Sequence, residues 1–382
     1  MTRISLQFLE SAYPDATPRS VRERLRQACQ ILPIESVLLG WNLPPALTEA
    51  VAAEASKQGA ALYRWHPLLA SDSGAALPAA WQTIAVNNRP ITGFRGLPEF
   101  TFFCANNPFA QEWMAQRLEK AVQSGMYQGI FFDRMRWPSP AGNLGENLGC
   151  FCPHCQALAA RNGLDFELVR RFVAELLADA TGAQRLVRAL VAPENEETAF
   201  EAFLQFREDC ITRTISTCAE AVHANGLLVG LDCFSPSLMR MVGQNLSSLG
   251  HTCNWTKLMT YPHTFGPAGL PYELQGIIHW LEKQYGIVKD DGLQFARQAS
   301  QINTSQPGTF EKETALARSK SEIPLFIGLA LVEMENVNSL SDEQIRTDLI
   351  ACKSGQPDGL ALSWDLWLIP PKRLEMIAQI FT

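Results

Sequence analysis

The chain has 382 residues, 47% of them hydrophobic and 19% charged, the balance of a globular protein with a sizeable core. Its net charge of −7, from 32 basic and 39 acidic side chains, leaves no electrostatic footprint for nucleic acid or an anionic membrane surface. The N-terminal stretch lacks the apolar core of a signal peptide, and no run nears the roughly 18 uncharged apolar residues that span a bilayer. A cytoplasmic location is therefore expected, with no nucleic-acid or membrane partner. Of the ten cysteines, Cys29, Cys210, Cys218 and Cys352 fall in helical-looking segments and read as buried free thiols.

In chain order, residues 4–9 read as a first strand and 18–32 as a helix with arginines outward. Residues 36–41 are a second strand, 46–58 a second helix and 61–66 a third strand. Residues 71–100, rich in Gly, Pro and Asn, read as a long loop with one short hairpin. Helical periodicity over 108–124 leads into a fourth strand, Gly129–Asp133. A long insertion, 139–195, follows, with a helical portion over 165–190 and a polar break at 193–197. The helix expected over 199–224 ends at Asn225-Gly226, in the manner of a C-cap. Further strands are expected at 227–232, 256–261, 324–331 and 359–364, and further helices at 272–284, 293–301, 341–353 and 371–381.

Eight strand-like runs separated by helices predict an α/β fold, a (β/α)8 TIM barrel with a long insertion after strand 4, forming one domain over 1–382. The runs are mostly continuous rather than alternating, as parallel strands covered by helices should be. A doubly wound nucleotide fold would carry a glycine-rich turn after its first strand, and this chain has none.

In such a barrel, residues just past the strand C-termini share a common mouth. The fourth and fifth strands deliver Asp133 and Asp232, and the seventh delivers Glu333. Around them the strand ends contribute Trp41, Arg64, His66, Arg136, Trp137, Tyr261, His263, Trp364 and Asp365. Carboxylates, aromatic faces and hydrogen-bonding groups together suit a carbohydrate, whose C–H faces stack on rings and whose hydroxyls take polar contacts. Glycoside hydrolysis needs two carboxyl groups flanking the scissile bond, about 5–5.5 Å apart for retention and about 6.5–9.5 Å for inversion. Asp133 with Asp232 is the leading pair, with Glu333 or Glu335 as alternative partners for Asp133. Each acid also has a plain role open to it: Asp133 could pair with Arg134 or Arg136, and barrel rims carry many structural acids. The expected substrate is a small carbohydrate. A barrel that binds sugar without cleaving it is the main alternative.

A second motif is metal-like. Cys150-Phe151-Cys152-Pro153-His154-Cys155 gives a C-x-C-x-x-C claw, and Cys104 in the loop before residue 108 can complete a quartet. Four thiolates suit a closed structural Zn2+ site and leave no open position for a catalytic water. The spacing fits neither ferredoxin pattern. Reduced thiols, a disulfide within the loop, or His154 replacing one sulfur are the other readings. The insertion itself could cap the mouth or serve as a surface for a homo-oligomer.

The stretch Cys104-Ala105-Asn106-Asn107-Pro108 followed by the claw resembles the zinc region of family 42 β-galactosidases, over about residues 100–160. In that family four cysteines hold a metal near the fourth strand of a (β/α)8 barrel. Their fourth strand ends in an Asn-Glu pair carrying the acid/base, whereas this chain has Asp133-Arg134-Met135, so β-galactosidase activity does not carry over. Gly129 to Pro138, ending Asp133-Arg134-Met135-Arg136-Trp137-Pro138, together with Leu231-Asp232-Cys233-Phe234, resembles the glycoside-hydrolase-like barrels. That resemblance implies Asp133 as nucleophile and Asp232 as acid/base.

Overall fold

A computed structural model describes residues 2–72, 74–192, 198–300 and 308–381. The eight apolar runs become β1 (Arg3–Phe8), β2 (Ile34–Leu39), β3 (Ala61–Pro67), β4 (Gly129–Asp133), β5 (Leu228–Phe234), β6 (Trp255–Met259), β7 (Leu325–Ala330) and β8 (Gly359–Ser363). Each pairs in parallel with its sequence neighbours, and β8 returns to β1, closing the barrel in the order β1 to β8. The (β/α)8 expectation holds.

Inside the barrel, Leu38, Tyr63, Trp65, Phe131, Trp255, Phe326 and Ala361 form their own buried cluster. Phe131 stacks on Trp255 at 5.2 Å, and Trp255 meets Phe326 at 4.9 Å. Rings this large fit because small residues face them. A Cβ on Gly230 would lie 2.5 Å from the Trp255 ring, so glycine is what the packing permits there. A second, larger cluster fills the space between strands and surrounding helices. Both faces of every strand are thus buried, which is why the sequence shows continuous apolar runs.

The helical portion expected over 165–190 is two helices, Phe166–Leu176 and Ala180–Val191. Each begins at an aspartate cap: Asp165 accepts from the Glu167 and Leu168 amides, and Asp179 accepts from that of Gly182. Helices Pro153–Arg161 and Thr309–Arg318 went unpredicted, and the 71–100 loop holds three 3₁₀ turns, at Ala79–Trp81, Phe94–Gly96 and Pro98–Phe100. The polar break at 193–197 and the end of the helix expected over 293–301 lie outside the described residues. Among the described residues no helix is long and apolar enough to cross a membrane.

Candidate active site and cysteine cluster

The mouth is built from inward-facing residues at the strand C-termini. Register pairs Phe132 with Leu231, so the next residues, Asp133 and Asp232, lie side by side on strands about 4.8 Å apart. Asp133 is partly exposed; its carboxylate accepts from the Trp65 indole N–H at 3.0 Å and the Arg134 amide at 2.5 Å. Asp232 is deeper, 3% exposed.

Beside Asp232, β6 presents Lys257, whose Nζ donates to Asp232 Oδ2 at 3.0 Å and to Gln7 Oε1 at 3.2 Å. Tyr261 follows β6 and donates to Ser363 Oγ at 3.2 Å. Gly328 makes room for both: a Cβ there would stand 2.8 Å from Lys257 Cε and 3.1 Å from the Tyr261 hydroxyl. Burial pushes the Asp232 carboxyl up, to about 7, against the pull of Lys257 and with help from Asp133. Burial also works against the Lys257 ammonium, yet Asp232 and Tyr261 together hold it above the usual lysine value. Both shifts run upward, so this pair keeps its protons to higher pH than free side chains do. Among the described residues, three buried polar atoms around this mouth find no hydrogen-bond partner: Asp232 Oδ1, Gln7 Nε2 and Arg134 Nη1.

Glu10, just past β1, is a fourth acid at the mouth that strand-end reading missed. Arg134 Nη2 lies 3.6 Å from its carboxylate, and the same guanidinium covers the rings of Trp41 (5.1 Å) and Phe100 (4.8 Å). Burial pushes Glu10 up, to about 7, with Arg134 opposing and Asp133 and Asp365 reinforcing. Since 39% of its side chain meets solvent, water tempers the size of that rise rather than its direction. Lys257 and Gln7 were missed too, although a lysine inside an apolar strand is itself a signal, since buried charges need partners.

The remaining predicted residues divide. Trp41, Arg136, Tyr261 and Trp364 border the mouth, Trp41 edge-on to Trp65 at 5.0 Å and Trp364 5.5 Å from Tyr261. Arg64 and His66 do not. Tyr63 and Trp65 point inward on β3, so the residues between and after them point outward to the helices. Arg64 donates to the Gly40 carbonyl, and His66 lies 6.5 Å from the outward ring of Phe132. Burial, with Arg117 and Arg64 adding to it, holds the His66 pKa well below its ordinary value. Trp137 is wholly buried, its indole N–H on the Arg207 carbonyl, and cannot serve as a sugar platform. His263 pairs with Asp348 at 3.1 Å. Glu333 is 67% exposed and paired with Arg373, away from Asp133. Asp365 accepts from the Leu9, Glu10 and Trp367 amides and the Tyr13 hydroxyl, and so fixes the β1 loop.

The four predicted cysteines converge. Cys104, Cys150, Cys152 and Cys155 are all buried, and their sulfurs lie within 4.8 Å of one another. Cys104 Sγ stands 3.3 Å from Cys155 Sγ and 3.4 Å from Cys152 Sγ. A tetrahedron of sulfurs 2.3 Å from zinc has edges of about 3.8 Å, so little movement would seat an ion. N–H groups already address the sulfurs: the Asn106 amide donates to Cys104, its side chain to Cys155, and the Ile84 amide to Cys150. Such donors stabilise metal-bound thiolate. Burial pushes the Cys104 and Cys155 thiols well up, so an anionic quartet here calls for a cation. The cluster can hold a metal ion.

No family model matches this sequence, and no curated protein matches it by sequence. Solved structures do resemble it. The PgaB (BpsB) glycoside hydrolase domain from Bordetella bronchiseptica is 14% identical, with a TM-score of 0.57 over 100% of this chain and 99% of that one. The catalytic domain of β-amylase from Paenibacillus polymyxa is 11% identical, with a TM-score of 0.51 over 99% of this chain and 97% of the other. An α-L-fucosidase, isoenzyme 2, from Paenibacillus thiaminolyticus is 12% identical at a TM-score of 0.57; 99% of this chain matches 48% of that protein. The likeness is one of fold. This chain shares their (β/α)8 barrel.

Proposed function

We propose that the chain is a glycoside hydrolase that cleaves a small oligosaccharide or glycoside with Asp133 and Asp232. The observation that carries this is unused hydrogen-bonding capacity at the mouth. Buried polar groups are ordinarily satisfied. Here Asp232 Oδ1, Gln7 Nε2 and Arg134 Nη1 have no partner, next to two side-by-side aspartates. Asp133, the less buried of the two, is the carboxylate that meets the anomeric carbon or its attacking water. Asp232, lifted to about 7, is the proton donor. Lys257, itself donating to Gln7 Oε1, holds the orientation of Asp232 through its bond to Oδ2. Fold likeness to glycoside hydrolases supports the substrate class.

The four-cysteine cluster is read as a structural Zn2+ site. When bound, the ion would tie the loop at Cys104 to the segment at Cys150–Cys155, outside the reaction. All ten cysteines lack disulfide bonds, which favours a reducing compartment such as the cytoplasm. The depth of Asp232 and its bond to Lys257 favour one second reading, a barrel that binds sugar without cleaving it.

The deciding experiment is a screen of the metal-replete protein against α- and β-linked aryl glycosides and short oligosaccharides, with Asp133→Asn alongside. Turnover that falls about 10³-fold or more in the variant supports the hydrolase. Sugar binding that survives Asp133→Asn, with no product from either protein, supports the binding barrel.

A further inference from the structure

Arg136 is 6% exposed, and its guanidinium carbon stands 4.6 Å from the ring centres of both Phe102 and Phe234. Rings so placed leave its N–H groups as the bonding sites. One of those N–H groups donates to the Trp137 carbonyl at 3.1 Å. No ion pair joins the guanidinium to any described residue. Burial lowers its pKa to about 10, while the carboxyls of Glu273, Asp133 and Asp232 act on it from a distance. Its other N–H groups bond no described residue and are left open to a ligand.

Arg136 opens onto a cavity of about 320 Å³, within the range of small-molecule sites. Phe94, Phe100 and Tyr272 give this cavity apolar walls, suited to the C–H face of a sugar ring. Its charges are mixed. Glu273 is fully buried and already accepts from the Ser139 hydroxyl and the Ala268 amide, and burial raises its pKa, so it opposes an anion less than a free carboxylate would. Glu146 and Arg95, both exposed, add one charge of each sign to the cavity lining.

We propose that this cavity is a subsite for an acidic sugar, a hexuronate unit whose carboxylate takes the free N–H edge of Arg136 in a two-pronged hydrogen bond. Planar guanidinium matches planar carboxylate in that geometry, and the flanking rings hold the plane in place. Arg136 lies three residues past Asp133, and the carboxyls of Asp133 and Asp232 both act on its charge, so the cavity is placed on the same side of the barrel as the proposed reacting pair. The inference rests on the hydrolase reading for its substrate chemistry, but binding alone tests it.

The probes are methyl glucuronide, methyl galacturonide and methyl mannuronide, each titrated by calorimetry beside its neutral hexoside. At least one acid should bind about tenfold or more tightly than its neutral counterpart, and Arg136→Gln should abolish that preference. No preference for any acid overturns the proposal, and so does a preference that persists in Arg136→Gln. Should that variant not fold, the ligand pairs on the native chain still decide. Turnover of neutral glycosides without acid preference sinks the subsite and keeps the hydrolase. Acid-selective binding with no turnover of any glycoside does the reverse.

Discussion

The β4–β5 side of the mouth and its β8–β1 side each bury an aspartate, and the two are opposites. Asp365, beyond β8, accepts four hydrogen bonds and ties down the loop that carries Glu10. Asp232, on β5, has one partner on one oxygen and none on the other. Equal burial thus goes with unequal satisfaction. A satisfied buried carboxylate stabilises the fold, whereas one with an empty lone pair costs stability and is kept where something else requires it. Under the proposed hydrolase reading, this contrast puts structure on one side and chemistry on the other.

The largest effect that would break the contrast comes from Asp232→Asn. As proton donor, Asp232 must be protonated, so activity should fall as pH rises through about 7. The variant should lose about 10²–10⁴-fold in kcat on substrates with poor leaving groups and far less on activated aryl glycosides, and its alkaline limb should vanish. Glu10→Gln is the control, because Glu10 is the rival raised carboxyl at the mouth. Loss of the alkaline limb in Glu10→Gln, with the limb intact in Asp232→Asn, would transfer the donor role to Glu10. Above about pH 7, where Asp232 is ionised, Asp232→Asn also takes from the buried Lys257 its carboxylate partner and leaves Gln7 Oε1, at a cost of up to about 3–5 kcal/mol. The double variant Asp232→Asn with Lys257→Met should recover stability without recovering turnover.

Next in size is the metal. Stripping the ion with a chelator should lower Tm by several degrees or more, because four buried sulfurs then face one another without a cation. The remaining folded protein should keep its kcat, as the cluster stands outside the reaction. Metal analysis returning no ion, with no change in Tm on chelation, would leave four reduced thiols as the account. Asp365→Asn ranks below this. It weakens four hydrogen bonds and should cost about 2 kcal/mol or more in chemical denaturation, with a smaller fall in kcat than Asp232→Asn gives. A larger fall in kcat than in stability would erase the difference between the two aspartates.

These assignments were only partly legible in the sequence. The eight strands and the cysteine quartet could be read because burial on both faces writes apolar runs and metal ligation writes close spacings. The same double burial hides which way each residue points. Without alternation to mark the core face, Arg64 and His66 looked as close to the mouth as Trp65, although they stand on the helix side of β3. Trp137 failed for a related reason: an aromatic just past a strand end can turn either to the mouth or to the core, and its indole found the Arg207 carbonyl. Glu10 stands where the strand-end rule points, just past β1, and nothing in its sequence neighbours marks it, whereas Lys257 lies within a strand, where that rule does not reach.

Glu333→Gln carries the smallest expected effect and sharpens the comparison from its other end. At 67% exposure, Glu333 lies in water, and its 2.9 Å contact with Arg373 is one of several that this arginine makes. Arg373 is 3% exposed and also donates to the carbonyls of Leu331 and Leu340 and to Asp342. The arginine therefore stays satisfied when Glu333 loses its charge. Exposed pairs contribute about 0–1 kcal/mol, so denaturation should shift by no more than that, and kcat should stay within about twofold of the native value. A loss of turnover in Glu333→Gln approaching that of Asp133→Asn would move the second carboxylate across the barrel. The β4–β5 pair would then be a structural ion-pair site, and the empty lone pair on Asp232 would mark strain rather than catalysis.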